Sequence, residues 1–311
     1  MNPIIALIIA NLIWGAASPI FKYALENIPP FTLAFIRFFG ASIVILPFVL
    51  SHRQRITLRD IFEICLSAFF GITINITFFF LGLKKATSIN APIIASAGPV
   101  FLYLLSIVFL KEKPIRKVFI GMMIALMGVF VIILSPLLTG NGQFVVGEME
   151  GNFLFVLAMI GAVLSTLFNK EVLRRVNPYL VSLIGFLFGS MTFIPFMPQE
   201  WQSWGFHKLN LAGWTGIIYG IFFSSALAYC LLNIAVAKIN AEEVGIFTYI
   251  DPIAAVVVAM PLVHEYPDFY FFIGSALVFG GIFLAEGRIH WHPLEKLKAQ
   301  ILNDKSNQKF K

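Results

Sequence analysis

Residues 110–117 read LKEKPIRK and residues 263–270 read VHEYPDFY. A shift of 153 lays Glu112 on Glu265 and Pro114 on Pro267, yet the first stretch carries net charge +3 and the second −2. A repeat that keeps its skeleton while reversing its charge needs a physical cause, and the rest of the chain supplies one.

Of 311 residues, 59% are hydrophobic and 12% charged, with a mean hydropathy of +0.88. A soluble domain holds about 45–50% and about 25% respectively, so this chain has more apolar surface than a soluble interior can hide. Runs such as ITFFFLGL and FYFFIGSALVFGGIFL are apolar on every side of a helix, which points to lipid as their surroundings. The pI near 9.3 does not indicate nucleic acid, because the basic residues stand in short segments between apolar runs. Cys65 and Cys230 both fall within apolar stretches, at no metal-ligand spacing, and read as small packing residues.

A helix needs about 20 apolar residues to cross a bilayer. Ten runs qualify: 3–25, 31–50, 61–83, 91–110, 117–138, 152–172, 179–197, 212–236, 244–263 and 269–287. Run length and lack of alternation favour helices over barrel strands, so the expected fold is an all-α polytopic membrane protein with ten transmembrane helices. The first run continues past any small-residue cleavage site and reads as a retained helix, not a signal peptide. With a cytoplasmic N-terminus, 17 of the Lys and Arg residues fall in cytoplasmic loops and the tail, against Lys84, Lys85 and Lys208 outside. That segregation follows the positive-inside rule and places both termini in the cytoplasm of a plasma (inner) membrane.

The 153-residue shift also lays GLKKATSINAPIIASAGP (82–99) on AVAKINAEEVGIFTYIDP (235–252), and IGMMIALMGVF (120–130) on IGSALVFGGIF (273–283). A shift of 148 pairs Lys22 with Lys170 and Pro30 with Pro178. Two copies of five helices follow. Five is odd, so the second copy enters the membrane from the opposite side, and equivalent loops face opposite compartments. Residues 110–117 then need positive charge and residues 263–270 do not. The pair Lys84–Lys85 and Lys238 breaks this pattern, and we have no physical account of it. The expected organisation is a first repeat at 1–138, an extracytoplasmic linker at 139–151, a second repeat at 152–287, and a basic cytoplasmic tail at 288–311 whose start resembles an amphipathic helix.

The stretches LIWGAASPIFKYAL and LAFIRFFGASIVIL, with the Pro-to-Glu cores GPVFLYLLSIVFLKE and DPIAAVVVAMPLVHE, resemble the EamA-type members of the drug/metabolite transporter superfamily over residues 3–287. Gly98 stands where such repeats often carry an acid before Pro, as Asp251 does in the second half. The resemblance implies ten helices around a central cavity that moves small metabolites by alternating access, often outward, amino acids among them.

Asp251 is the one acid well inside an apolar run, where an ionised carboxylate costs several kcal/mol unless paired or hydrated. It reads as a substrate-amine or proton-coupling site, or as a helix-end acid in a shifted span, or as a structural partner of Arg37 or Lys22. Lys22 reads as snorkelling to the interface. Arg37 could hold a substrate carboxylate or make a structural pair. Asn11, Asn75, Thr77, Ser96, Asn169, Asn233 and Thr248 should face protein or water rather than lipid, as interhelical glue or as cavity lining. Trp14, Tyr103, Tyr229 and Tyr249 could stack on a planar substrate or simply pack. Gly121, Gly128, Gly274 and Gly281 recur every seven residues and mark close helix packing.

The expected function is a secondary transporter exporting a small metabolite such as an amino acid. No phosphate-binding G-x-x-x-x-G-K-[ST] occurs, and no catalytic residue, metal, cofactor or nucleic-acid partner is expected. The alternative is a polytopic membrane enzyme acting on a lipid or isoprenoid carrier. Against it, the five His residues are scattered and no paired Asp motif is present.

Overall fold

Proline and short polar residues at the helix starts set where the chain turns, and the apolar runs between them form helices throughout. The computed structural model describes residues 2–51, 54–98, 100–101, 116–139, 144–236 and 247–285. Tyr103, the loop around Lys111 to Pro114, the Lys238 to Glu243 segment and the tail 288–311 lie outside the described residues.

Ten helical segments follow in order: α1 (Pro3–Leu25), α2 (Pro30–Ser51), α3 (Leu58–Leu83), α4 (Asn90–Ser96), α5 (Arg116–Thr139), α6 (Phe144–Leu173), α7 (Pro178–Trp201), α8 (Leu211–Ala235), α9 (Asp251–Val263) and α10 (Phe269–Ala285). Seven of these are long and apolar enough to cross a membrane, α9 and α10 are shorter apolar helices, and α4 is a segment of 7 residues. No strand occurs among the described residues. One boundary differs from expectation. α6 begins at Phe144, so the second half of the expected linker is helical.

Local chemistry explains the starts. Pro3, Pro30 and Pro178 stand at or near the first helical position, where a missing N–H costs nothing. Asn2 and Asn177 accept hydrogen bonds from the backbone N–H groups of Ile4 and Tyr179. Thr57 and Asp60 form a reciprocal capping box at the start of α3, and Asn210 accepts from Gly213 N–H at the start of α8. Positions 57 and 210 are 153 apart, so the repeat extends to its caps.

The packing obeys an approximate two-fold relation. α1 packs on α8 as α6 packs on α3, and α1 packs on α9 as α6 packs on α4. The self-related pairs are α2 with α7 and α5 with α10. A side chain at Gly121 would collide with Gly281, and one at Gly128 would lie 2.6 Å from the Gly274 carbonyl oxygen. Residue numbers therefore rise along α5 as they fall along α10. Antiparallel fifth helices are what an inverted repeat demands, since parallel repeats would align them. The glycines let the backbones touch, which is how helices associate where lipid offers no hydrophobic drive.

Both third helices open into a π turn, at Phe69–Ile74 in α3 and Tyr219–Leu227 in α8. The shift of 153 maps the first of these inside the second. A π turn leaves main-chain groups without their i−4 partner and widens the helix, a device common at functional sites.

Gly128→Leu should destabilise the protein by about 1–3 kcal/mol through overpacking of the α5–α10 seam, read as a lowered melting temperature in detergent. Gly147→Ala, where an added Cβ meets nothing within 4 Å, should leave that temperature unchanged.

Candidate functional site

The helix ends fall into two groups. At one end, the last turn of α1 meets the loops after α3 and α9. Lys22 Nζ lies 2.5 Å from Glu265 Oε1 and donates to the Ala86 carbonyl at 2.6 Å. The same Glu265 accepts from Ser88 N–H at 2.7 Å and Ser88 Oγ at 2.5 Å. Glu200 of α7 accepts from Phe31 N–H, Thr32 N–H and Thr32 Oγ1, satisfying donors that the start of α2 would otherwise leave open. The Lys22–Glu265, Ser88–Glu265 and Glu200 ties join one repeat to the other, and the Lys22–Ala86 bond lies within the first. Lys22 is thus not a free snorkelling residue; it belongs to an interhelical latch that single-residue reasoning missed.

At the opposite end, Arg175 contacts Asp60 at 3.1 Å and Glu63 at 2.5 Å. Gln54 donates to the Arg175 carbonyl and accepts from Asn177 N–H, joining the α2–α3 and α6–α7 loops.

Two polar stations lie between these ends. The first centres on Arg37, which is 2% exposed. Its Nε donates to Ser225 Oγ at 2.7 Å and its Nη2 to Ser224 Oγ at 3.0 Å. The guanidinium sits 4.6 Å from the ring centres of both Phe21 and Phe38, a cation–π sandwich. No carboxylate pairs with it among the described residues. Ser224 and Ser225 belong to the π turn of α8, and Trp14 Nε1 donates to the Ser224 carbonyl at 3.0 Å, using an acceptor which that turn sets free. Gly220 makes the room, for an added Cβ there would stand 3.1 Å from Arg37 Cγ.

The second station is a cavity of about 100 Å³ among α3, α6, α7 and α8, a few turns from the Arg175 end. Its polar lining is Ser67, Ser165, Thr166, Asn169, Ser182 and Asn233. Asn169 Nδ2 donates to Asn233 Oδ1 at 3.0 Å, Asn233 Nδ2 donates to Ser182 Oγ at 2.8 Å, and Ser182 donates to the Pro178 carbonyl at 3.0 Å. Ser67 donates to the Ser165 carbonyl at 3.0 Å. An aromatic cluster separates the two stations: Tyr229 lies 5.3 Å from Phe186 and 6.0 Å from Phe38, and edge-on to Trp14 at 5.3 Å.

The expected site residues therefore divide. Asn169, Asn233 and Tyr229 line the cavity, while Trp14 and Arg37 form the other station. Asn75 donates to the Ala158 carbonyl at 2.7 Å and joins α3 to α6. Ser96 is fully buried and bonds the Pro92 carbonyl, with Thr248 nearby; Tyr249 packs edge-on to Phe279; Thr77 is half-buried. Asn11 donates to the Leu7 carbonyl within its own helix. Asp251 starts α9 against Gly15 of α1, where an added Cβ would come within 2.8 Å of Asp251 Cα. Its Oδ1 is buried without a hydrogen-bond partner among the described residues. Since Lys22 is held by Glu265 and Arg37 by serines, neither pairs with Asp251 and the partner reading falls, while the place of Asp251 as first residue of α9 fits the helix-end reading. Ser67, Ser165, Thr166 and Ser182 were not singled out by sequence, because lone hydroxyls are the usual polar content of helix interfaces.

A helical bundle of two inverted five-helix repeats, with polar stations between the repeats and cross-repeat ties at its ends, defines the class of polytopic membrane transport proteins. Residues 1–134 and 149–286 match the EamA-like transporter family, and the chain belongs to it. It is similar to the uncharacterized transporter YetK of Bacillus subtilis (strain 168), at 30% identity over 91% of this chain and 86% of that one. It is also similar to an S-adenosylmethionine uptake transporter of Rickettsia bellii, at 26% identity over 79% of this chain and 80% of that one. A crystal structure of a protein with 16% identity superposes with a TM-score of 0.62 over 91% of this chain and 96% of its own, a likeness of fold. The protein is a multi-pass membrane protein.

Arg37→Lys should cost about 1–3 kcal/mol, because an ammonium cannot reach both serines while lying flat between two rings. The measure is thermal unfolding in detergent; loss confined to transport of carboxylated solutes, with stability intact, would reassign Arg37 to the substrate. Glu265→Gln should weaken the latch by about 1–2 kcal/mol, a 5- to 30-fold shift in population. In a Cys65→Ala, Cys230→Ala background carrying Ala17→Cys, labelling by an impermeant maleimide from the Lys22 side should rise accordingly.

Proposed function

We propose that the chain is a secondary transporter that carries a small metabolite between its two repeats by alternating access. One observation carries the reading: two halves related by an approximate two-fold are packed unequally. Both ends are tied across the repeats, at Lys22–Glu265 and at Arg175 with Asp60 and Glu63, and an unfilled cavity with polar groups in its lining lies towards the Arg175 end. In an inverted repeat, exchanging the two packings moves the opening from one face to the other without changing the fold. The positive-inside count assigns the Arg175 end, and both termini, to the cytoplasm of the inner membrane. The repeat limits 1–138 and 152–287, the linker 139–151 and the basic tail 288–311 follow the same reading.

The solute route runs past Asn169, Asn233 and Tyr229 towards Trp14 and Arg37, with Asp251, Asn11, Ser96, Thr248 and Tyr249 on the α1–α9 side and Asn75 and Thr77 on α3. Asp251 is the group for proton coupling. α9 runs 13 residues from it to the turn bearing Glu265, about 20 Å, which sets the carboxylate deep in a hydrocarbon core about 30 Å thick. Export of an amino acid or related compound remains the direction we favour. The relative named as an uptake transporter for S-adenosylmethionine makes that sulfonium-bearing amino acid a solute to test in both directions.

Counterflow in proteoliposomes tests the function: preloaded S-adenosylmethionine, amino acids and short alkylamines should drive accumulation of at least one labelled counterpart, and lipid turnover without solute exchange would overturn it. Asp251→Asn should abolish the pH dependence of flux while the protein still folds. An unchanged pH response with altered affinity would move the coupling elsewhere.

A further inference from the structure

The two stations occupy equivalent places in the two repeats. The shift of 148 sets Arg37 on Gly185, and the shift of 153 sets Ser224 on Gly71 and Gly220 on Ser67. The packing agrees: Arg37 faces Gly220 across α2 and α8, and Gly185 faces Ala68, next to Ser67, across α7 and α3. Where one station has the Arg37 guanidinium and Ser224 that holds it, the other has Gly185, Gly71 and a void. The cavity is a vacant copy of a cation site.

Hydrogen-bond direction in its lining points to the same occupant. The Pro178 carbonyl can only accept, so Ser182 donates to it and must accept from Asn233. Asn233 Oδ1 therefore accepts from Asn169 Nδ2. The relay ends at Asn169 Oδ1, which is buried with no partner among the described residues. Ser67 and Thr166 likewise direct their protons to backbone carbonyls, at Ser165 and Ala162. The protons placed by these bonds point to protein acceptors, and the Asn169 Oδ1 lone pairs remain unused near the rings of Phe186 and Tyr229. An unpartnered amide oxygen and aromatic faces suit a cation or an N–H donor, and the lining holds neutral hydroxyl and amide donors but no cationic group to pair with a carboxylate. About 100 Å³ accommodates a head group of a few heavy atoms, since an engineered apolar cavity of about 150 Å³ binds benzene.

We propose that this cavity binds the cationic nitrogen head group of the transported solute, an alkylammonium or a guanidinium, with Asn169 Oδ1 as its principal acceptor, in the place that Arg37 fills in the other repeat. The proposal rests on the transport reading and narrows its substrate class.

The test uses the purified full chain in detergent and measures binding of agmatine and n-butylamine by isothermal titration, with butyrate and 1-butanol as matched competitors. Both amines should bind, the competitors should not displace them, and Asn169→Leu should weaken the amines by about 10-fold or more, the size of a lost charge-assisted hydrogen bond. Should Asn169→Leu fail to fold, Gly185→Ala serves in its place. Its added methyl meets only Ala68 Cβ at 3.6 Å, so it folds while taking volume from the cavity, and amine affinity should again fall. Amine affinity unchanged in the variants, displacement by butyrate or butanol, or no amine binding at all would each overturn the proposal. Solute counterflow by the same preparation would still stand, so failure here is distinguishable from failure of the transport reading.

Discussion

Hydrocarbon offers no hydrogen bonds, so every main-chain N–H and C=O in the spans must find its partner within the protein. Helices meet that demand at once, and most of this chain does nothing else. The informative places are those where the ladder is interrupted. In the π turn of α8 the Ser224 carbonyl accepts from Trp14 Nε1 at 3.0 Å and from Arg37 Nη2 at 3.4 Å. The position of Arg37 follows from this constraint. A guanidinium without a carboxylate partner among the described residues persists in the interior because two serines and two aromatic faces are presented to it, and because Gly220 leaves room for its stem.

The same absence of water removes the hydrophobic drive between helices, so association depends on how closely backbones approach. The α5–α10 seam satisfies this through glycines spaced by seven. Because α5 and α10 are equivalent helices of inverted copies, the seam is self-complementary and lies where rearrangement of the other helices leaves it least disturbed. The latch at the Lys22 end is of another kind. It is built from one ion pair and a few hydrogen bonds between loops, contacts that form or break without disturbing helix packing.

Much of this was legible in the sequence, and the remainder was hidden for identifiable reasons. The charge reversal between residues 110–117 and 263–270 gave the inverted repeat, and the seven-residue glycine spacing gave the seam. Lys22 was read by itself as a snorkelling side chain, because its partner lies 243 positions away and nothing local announces Glu265. The π turns escaped because neither contains proline, and a widened turn has no composition of its own. The cavity serines escaped for a related reason. Their role depends on what the opposite repeat lacks at the same place, Gly185 against Arg37, and a comparison guided by identities passes over the differences.

Those differences bear on how the two faces are exchanged. If the copies were identical, the two packings would be equal in energy and the solute would meet the same chemistry on either side. In the proposed exchange, the chamber that would open already contains the Arg37 guanidinium. A cationic head group leaving the oxygen-lined cavity would approach the Arg37 guanidinium, and two like charges about 4 Å apart repel by roughly 4 kcal/mol at the effective dielectric near a protein surface. Arg37 would thus lower affinity on the face where solute is released, while the neutral oxygens around Asn169 raise it on the face where solute enters. An inverted repeat supplies two faces; an arginine in one copy and a glycine in the other make them unequal, and that inequality can give a symmetric scaffold a preferred side for binding.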